Sequence, residues 1–277
     1  MKKFLVLVLL CSGMTSCAPL MYQQIATIQS DQVSINENGD FIAKTSEFTI
    51  LYDFWAPSGM TSFMVSNNSD EDIYLNMSES YYIRNGYAHD YYQGRVYVPN
   101  SRTSPNVLSA TVAASGDANK FGLGSEFGSG LNSTTKASSV SRVEYVEQKI
   151  ICIPAHSRKA FEQFNVQPEA YRECGFIRNP KSRETAVKKF TEENSPVVIE
   201  NRLMFEVSGK KVPVNHKFYV SKLQNISENS VYQVTQIKRC DGYNSSTQVL
   251  LHKMLAPDRY YIRYTPYYNE SDRTRKQ

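Results

Sequence analysis

The strongest constraint on the fold is a two-residue alternation of apolar and polar side chains, in short segments that turn sequences separate. In residues 48–55, aromatic and aliphatic side chains recur at every second position. Residues 197–207 place Val, Ile, Leu and Phe on one parity and Glu and Arg on the other. Successive side chains of a β-strand point to opposite faces, so this period indicates half-buried strands. The sequence therefore predicts a mainly β protein.

Turn sequences between these segments indicate how the strands connect. Asn38-Gly39 and Asn85-Gly86 each lie between two apolar segments, and Asn-Gly readily adopts the positive φ angles of a tight hairpin turn. About ten to twelve short strands joined in this way predict an antiparallel β-sandwich, either immunoglobulin-like or jelly-roll-like. Residues 168–172, with Pro at the first turn, and residues 247–255 favour one or two short helices instead.

The pattern also suggests how the chain is divided. Residues 48–265 are expected to form the sandwich, residues 17–47 an anchor and lead-in with one hairpin, and residues 266–277 a polar tail. Residues 101–141 lose all periodicity and are rich in Ser, Thr, Ala, Asn and Gly. Such a segment buries too little apolar area to offset the entropy of ordering it. We therefore expect a long Ser/Gly-rich loop inserted in the sheet.

The N-terminus has the layout of a secretory signal peptide. Lys2 and Lys3 precede an apolar run from Phe4 to Leu10, and small and polar residues follow it. The run is too short to span a bilayer, which takes roughly 20 apolar residues.

The end of this segment, Met14-Thr15-Ser16-Cys17, resembles a bacterial lipobox. The resemblance implies a lipoprotein signal peptide over residues 1–16 and a palmitate-bearing Cys17, through which the membrane would be a partner. Ala18 follows where a retention Asp could stand, which by resemblance to enterobacterial lipoproteins favours the outer membrane, on its periplasmic or its surface side. An ordinary cleaved signal and a buried N-terminal strand are the alternatives.

The net charge limits the classes of partner, and the cysteine content limits the disulfide bonds that can form. The formal net charge is +4, and removing Lys2 and Lys3 leaves about +2, which does not suggest a nucleic acid partner. An oxidising compartment permits one disulfide among the three cysteines left beside Cys17 and the removed Cys11. Cys152 lies in the apolar run Ile150–Ile153 and is expected in the core. That favours Cys174 with Cys240, although the sequence does not fix the pairing.

No residue pattern points to catalysis, a metal or a cofactor. The four histidines are spread along the chain, and C-x-x-C and H-E-x-x-H spacings are absent. Gly122, Gly124 and Gly128 lie in the Ser/Gly-rich segment, a poor context for a phosphate-binding loop. Asp70-Glu71-Asp72 offers oxygens suited to Ca²⁺, but a solvated hairpin tip is the favoured interpretation.

A group of tyrosines in and after one predicted hairpin is the strongest candidate for ligand binding. Those on a solvent-facing side would form an aromatic platform for a sugar or a peptide, with His89, Asp90 and Arg95 nearby. The alternative is that they pair across strands and stabilise the sheet, by about 0.2–1 kcal/mol per pair. The group consists of Tyr81, Tyr82, Tyr87, Tyr91, Tyr92 and Tyr97.

Several segments together carry a further resemblance. They are FMVSNNS (63–69) leading to YYIRNG (81–86), then ICIPAHS (151–157) and SPVVIENR (195–202). They resemble uncharacterised cell-envelope lipoproteins of Bacteroidales, which implies a secreted, anchored, β-rich protein and assigns no catalytic residue.

Three functions follow as hypotheses. The first is a non-enzymatic binding or assembly lipoprotein, which needs an apolar patch or an open sheet edge. The second is a glycan-binding accessory protein, which needs at least three of the named tyrosines exposed and coplanar. The third is an envelope hydrolase, which needs a cleft with a perturbed acid, base or nucleophile.

Overall fold

The computed structural model describes residues 20–97, 145–238 and 244–266. In these residues the chain is mainly β, with antiparallel sheets in a sandwich-like arrangement, as predicted. The predicted signal peptide, Cys17, the inserted loop 101–141 and the tail beyond residue 266 lie outside the described residues.

Eighteen strands follow one another along the described chain. Each is numbered in chain order. They are β1 (Tyr22–Gln29), β2 (Ser34–Ile35), β3 (Phe41–Lys44), β4 (Phe48–Asp53), β5 (Met60–Asn67), β6 (Ile73–Asn76), β7 (Tyr81–Arg84), β8 (Tyr87–Asp90), β9 (Val96–Tyr97), β10 (Tyr145–Val146), β11 (Ile150–Ile153), β12 (Arg158–Asn165), β13 (Thr185–Lys189), β14 (Val198–Val207), β15 (Lys210–Ser227), β16 (Tyr232–Lys238), β17 (Asn244–His252) and β18 (Arg259–Tyr264).

Two sheets and two separate ribbons contain these strands. The larger sheet has nine strands in the main order β11-β6-β14-β15-β1-β18, with β13 on β15 and the β7–β8 hairpin on β14. The smaller sheet has the order β12-β5-β4-β3-β2. The ribbons are β9–β10 and β16–β17. All pairs among the described strands are antiparallel: short turns join neighbours such as β4–β5 and β7–β8, whereas β1 pairs with β15 and β18 from the far end of the chain.

The two Asn-Gly turns form the hairpins that the sequence predicts. Gly39 has a φ of 87° and Gly86 a φ of 84°, values that a side chain disfavours. The first turn connects β2 to β3, and the second connects β7 to β8.

The segment expected to be a lead from the membrane is instead a central strand. β1 lies between β15 and β18, and most of its residues are buried. Its two polar residues Gln23 and Gln24 are buried too, and the Gln24 side-chain amide donates to Asn225 Oδ1 at 2.9 Å. β2 and β3 belong to the smaller sheet, so residues before 48 contribute strands to both sheets.

Neither segment that was predicted to be helical forms a helix, and the helical turns lie elsewhere. Residues 247–255 begin within β17, whose backbone pairs with β16. Near 168–172, the backbone of Tyr171 donates to Gln24 Oε1 at 2.7 Å and accepts from Gln24 Nε2 at 3.1 Å, so it is unavailable to a helix. The helical turns lie at Met77–Glu79 and at α1 (Glu228–Val231). No helix among the described residues is long and apolar enough to cross a bilayer.

Aromatic contacts between the sheets form the centre of the core. Phe48 of β4 stacks on Phe205 of β14 with ring centroids 4.5 Å apart. Phe218 of β15 contacts Phe41, Tyr52 and Phe54 at centroid distances of 5.3, 4.9 and 5.2 Å. Edge-to-face and offset contacts of this kind add stability beyond the apolar area that they bury.

Replacing Phe218 by Ala is expected to lower the free energy of unfolding by about 3–5 kcal/mol, because it leaves a cavity between the sheets. The matched control is Tyr87→Ala, at a side chain 76% exposed, which should change stability by less than about 0.5 kcal/mol. Urea denaturation measures both. Equal losses in the two variants would contradict the packing described.

Candidate functional site

A cleft of about 320 Å³ opens between the two sheets. The smaller sheet contributes β3, the start of β4 and the turn between them. The larger sheet contributes the first half of β15, with Val214 and His216. Phe48 and Ile50 form a buried apolar floor, and Lys44 lies at the exposed rim.

The cleft exists because β15 changes partners along its length. β14 pairs with residues 210–219 of β15, whereas β1 pairs with residues 219–227 on the opposite edge. In the described chain, residues 210–218 therefore have no strand on the edge that β1 leaves. Lys217 on this edge donates its N–H to Gln32 Oε1 at 2.9 Å, and its carbonyl accepts from Ser30 Oγ at 2.5 Å.

The open edge of β15 carries residues that discourage strand addition. Alternation from Lys217 places the backbone groups of Asn215, Pro213 and Lys211 on the same edge. Proline has no N–H to offer there, and lysines on an edge strand oppose pairing with another chain. An extended partner strand is therefore not the ligand that this edge favours.

A chain of buried hydrogen bonds leads from the core to the cleft. Tyr91 Oη donates to Asn201 Oδ1 at 2.7 Å, Asn201 Nδ2 donates to Tyr52 Oη at 3.2 Å, and Tyr52 Oη lies 2.8 Å from His216 Nδ1. Tyr91 follows β8, Asn201 lies on β14, Tyr52 on β4 and His216 on β15. Four distant segments thus meet in one polar chain between the sheets.

The donors of this chain fix where the protons lie. Tyr52 is fully buried and its Oη accepts from Asn201, so among the described residues His216 Nδ1 is the acceptor that its own hydrogen can reach. A histidine that accepts at Nδ1 carries its proton on Nε2 when it is neutral. Burial lowers the pKa of His216 to about 4 and raises the pKa of Tyr52, so both groups are neutral near pH 7. His216 can therefore donate a hydrogen bond from Nε2 but is a weak base.

His252 is a second neutral histidine, and its hydrogen bonds are used within the fold. It lies at the base of the β16–β17 ribbon, where its Nδ1 accepts from the Met254 N–H at 3.2 Å and its Nε2 contacts Gln23 Oε1 at 2.8 Å. Trp55, Tyr232 and Tyr261 surround the ring. Burial lowers the pKa of His252 to about 4. Its role is to attach the ribbon to the sandwich.

The tyrosine platform does not form from the predicted residues as a group. Tyr82 and Tyr91 are buried at 1% exposure and pack on Phe164, at centroid distances of 4.8 and 5.2 Å. Tyr81 and Tyr92 are half-buried, Tyr87 is exposed, and the side chain of Tyr97 lies outside the described residues.

Strand alternation explains this outcome, because the pairing of β7 with β14 turns Tyr82 inward. The polar residues beside the tyrosines have partners of their own. Tyr82 faces His89 across the β7–β8 hairpin, and Arg95 forms an ion pair with Glu147 at 2.7 Å.

The structure contradicts the expectation that Cys152 is a core residue. Cys152 is not in the core: it lies opposite Tyr74 on the outer face of edge strand β11, with Sγ 3.7 Å from Asp72 Oδ2. Partial desolvation and the Asp72 carboxylate raise the pKa of this thiol. Cys174 is exposed and forms no disulfide among the described residues, and Cys240 lies outside them. The pairing of Cys174 with Cys240 therefore stays a prediction.

The three carboxylates of residues 70–72 each contact a different partner. Asp70 contacts His156 at 2.9 Å, Asp72 accepts from the Ala155 N–H at 3.0 Å, and Glu71 accepts from Ser208 at 2.6 Å. Across the described ranges, no three potential metal ligands are grouped closely enough to hold an ion.

Comparisons with known proteins assign no family. No protein-family model matches the chain, and no curated protein or solved structure matches it significantly. The resemblance to envelope lipoproteins of Bacteroidales stays a prediction, and the function must be inferred from the chain's own residues.

Stability is expected to fall as the pH is lowered from 6.5 to about 4. In that interval the unfolded chain protonates His216 and His252, whereas the folded chain keeps both neutral. Each histidine should contribute ~1–3 kcal/mol after allowance for its partial exposure to solvent. Urea denaturation at pH 7 and pH 4.5 measures the loss, and replacing both histidines by Gln should reduce it. An unchanged loss in the double variant would count against the two buried sites.

Proposed function

We propose that this protein is a lipid-anchored envelope protein that acts as a non-enzymatic binding or assembly module, with the cleft beside His216 as its binding position. One observation supports the proposal most directly: the buried hydrogen-bond chain ends at His216, and His216 lines the cleft. A fully connected polar chain holds its members rigidly and so keeps a donor in a fixed position.

Chemistry at the cleft favours binding over catalysis. A general base at neutral pH needs a pKa near 7, whereas the pKa of His216 is about 4. The neighbouring Tyr52 hydroxyl is buried, and burial raises its pKa, so it is no nucleophile either. Among the side chains lining the cleft, Lys44 supplies the one fixed charge.

The position of β1 supports a close attachment to a membrane. Tyr22 lies five residues after Cys17, and an extended chain spans at most about 18 Å over that distance. A lipid on Cys17 would therefore hold the sandwich directly at the bilayer, without a spacer. Ala18 supports the outer membrane as the proposed location.

The glycan-binding alternative has less support. Stacking on a sugar needs exposed aromatic faces, and two of the six proposed tyrosines are buried in the core. Tyr87 alone of the six is exposed within the described residues.

Metabolic labelling with palmitate tests the anchor. The wild-type chain should take up label and sediment with membranes, and Cys17→Ser should lose both properties because it lacks the acylated thiol. Cys11→Ser is the matched control and should keep both. A labelled Cys17→Ser variant, or an unlabelled wild type, would rule out the proposed anchor.

Photo-crosslinking in intact cells tests the binding position. A crosslinking residue at Ser34, which is exposed and lines the cleft, should give a discrete adduct that mass spectrometry identifies. The same residue at the exposed Tyr87 is the control and should give none. Val214→Trp fills the cleft and should abolish the Ser34 adduct. An adduct that survives this filling would place the partner elsewhere.

A further inference from the structure

We propose that the cleft binds a carboxylate group carried on an apolar body. This inference rests on the proposed binding role of the cleft, but not on the lipid anchor. It follows from which hydrogen-bonding groups of the cleft are engaged within the protein and which are not.

The hydroxyl hydrogens in the cleft are already used. Ser34 Oγ donates to the Ile42 carbonyl at 3.0 Å, and Thr45 Oγ1 donates to the Phe48 carbonyl at 3.1 Å. Thr45 Oγ1 also accepts from two backbone N–H groups, and Gln32 Oε1 accepts from Lys217. The two hydroxyls therefore have no hydrogen left to donate to a ligand, and the Gln32 side-chain oxygen is already engaged.

The side-chain hydrogens that remain unused in the cleft are all on nitrogen. His216 uses Nδ1 for Tyr52 and keeps Nε2–H, and Gln32 keeps its side-chain NH₂. Lys44 has no ion-pair partner among the described residues. A ligand that accepts hydrogen bonds complements these donors, and Lys44 favours one that carries negative charge. An ionised carboxylate does both, and it donates nothing.

The rest of the cleft determines what carries the charge. Its floor of Phe48, Ile50 and Val214 is apolar, which suits a hydrocarbon or a nonpolar side chain. One lysine matches a single negative charge, whereas a phosphate dianion would leave a charge unbalanced. At about 320 Å³ the cleft has the size of a small-ligand pocket, enough for a short aliphatic acid or the last residue of a peptide.

The experiment compares acids with their neutral amides, on the complete chain from residue 17 carrying Cys17→Ser. The probes are hexanoate and hexanamide, and a tripeptide ending in Leu with a free carboxylate or a C-terminal amide. NMR titration should give saturable binding of at least one acid, with its amide at least about tenfold weaker, because hydrogen bonds to an ion are the stronger ones. Tighter binding of the peptide acid points to a protein C-terminus, and comparable binding of hexanoate points to a free small molecule.

Variants then locate the site. Lys44→Met keeps the aliphatic stem and should weaken acid binding about tenfold. The matched control is Lys210→Met, an exposed lysine of β15 outside the cleft lining, which should change binding less than twofold. Equal effects of the two variants would mean nonspecific attraction and overturn the proposal.

Three other results would also overturn it: equal binding of acid and amide, tighter binding of inorganic phosphate, or no saturable binding of any probe up to millimolar concentration. If the Ser34 crosslink nevertheless forms in cells, the binding role stands and only the ligand class is wrong.

Discussion

The pairing of β15 with different strands on its two halves is the constraint on which the other features depend. Its first half pairs with β14, and its second half lies between β1 and β13. Where β1 ends, one edge of β15 is left without a neighbouring strand, and the sheets separate enough to admit the cleft. The long strand also carries Phe218 into the aromatic core and, two residues earlier, His216 to the cleft wall. The same strand therefore positions both an aromatic side chain of the core and a polar side chain that lines the cleft.

The polar chain from Tyr91 to His216 is the unusual part of an otherwise apolar interior. Tyr52 is surrounded by Phe54, Phe63 and Phe218, so its hydroxyl has no access to water except through its partners. An unpaired polar group in such a place would cost roughly 1–3 kcal/mol. Because each donor meets an acceptor, the chain instead selects one relative position of the two sheets. The cleft therefore has a defined shape, and His216 in its wall carries its proton on Nε2.

The sequence predicted what depends on local periodicity and missed what depends on distant partners. Alternation and Asn-Gly turns were enough for the fold class and for the hairpins at Gly39 and Gly86. β1 was missed because Gln23 and Gln24 look like solvent-facing residues, while their partners Glu228 and Asn225 are about 200 positions away. The sequence did contain a local indication that His216 is partly buried. Asn201 and His216 both occupy the apolar parity of their strands, where a polar residue implies a buried partner.

The central position of β1 has a mechanical consequence for an anchored protein. A pull on the N-terminus of β1 runs along the strand, parallel to its neighbours β15 and β18. Under such a load the ladder hydrogen bonds on both edges are strained together in shear, rather than opened one after another as in peeling from an edge. A sandwich held by this central strand would resist such a pull better than one held by an edge strand.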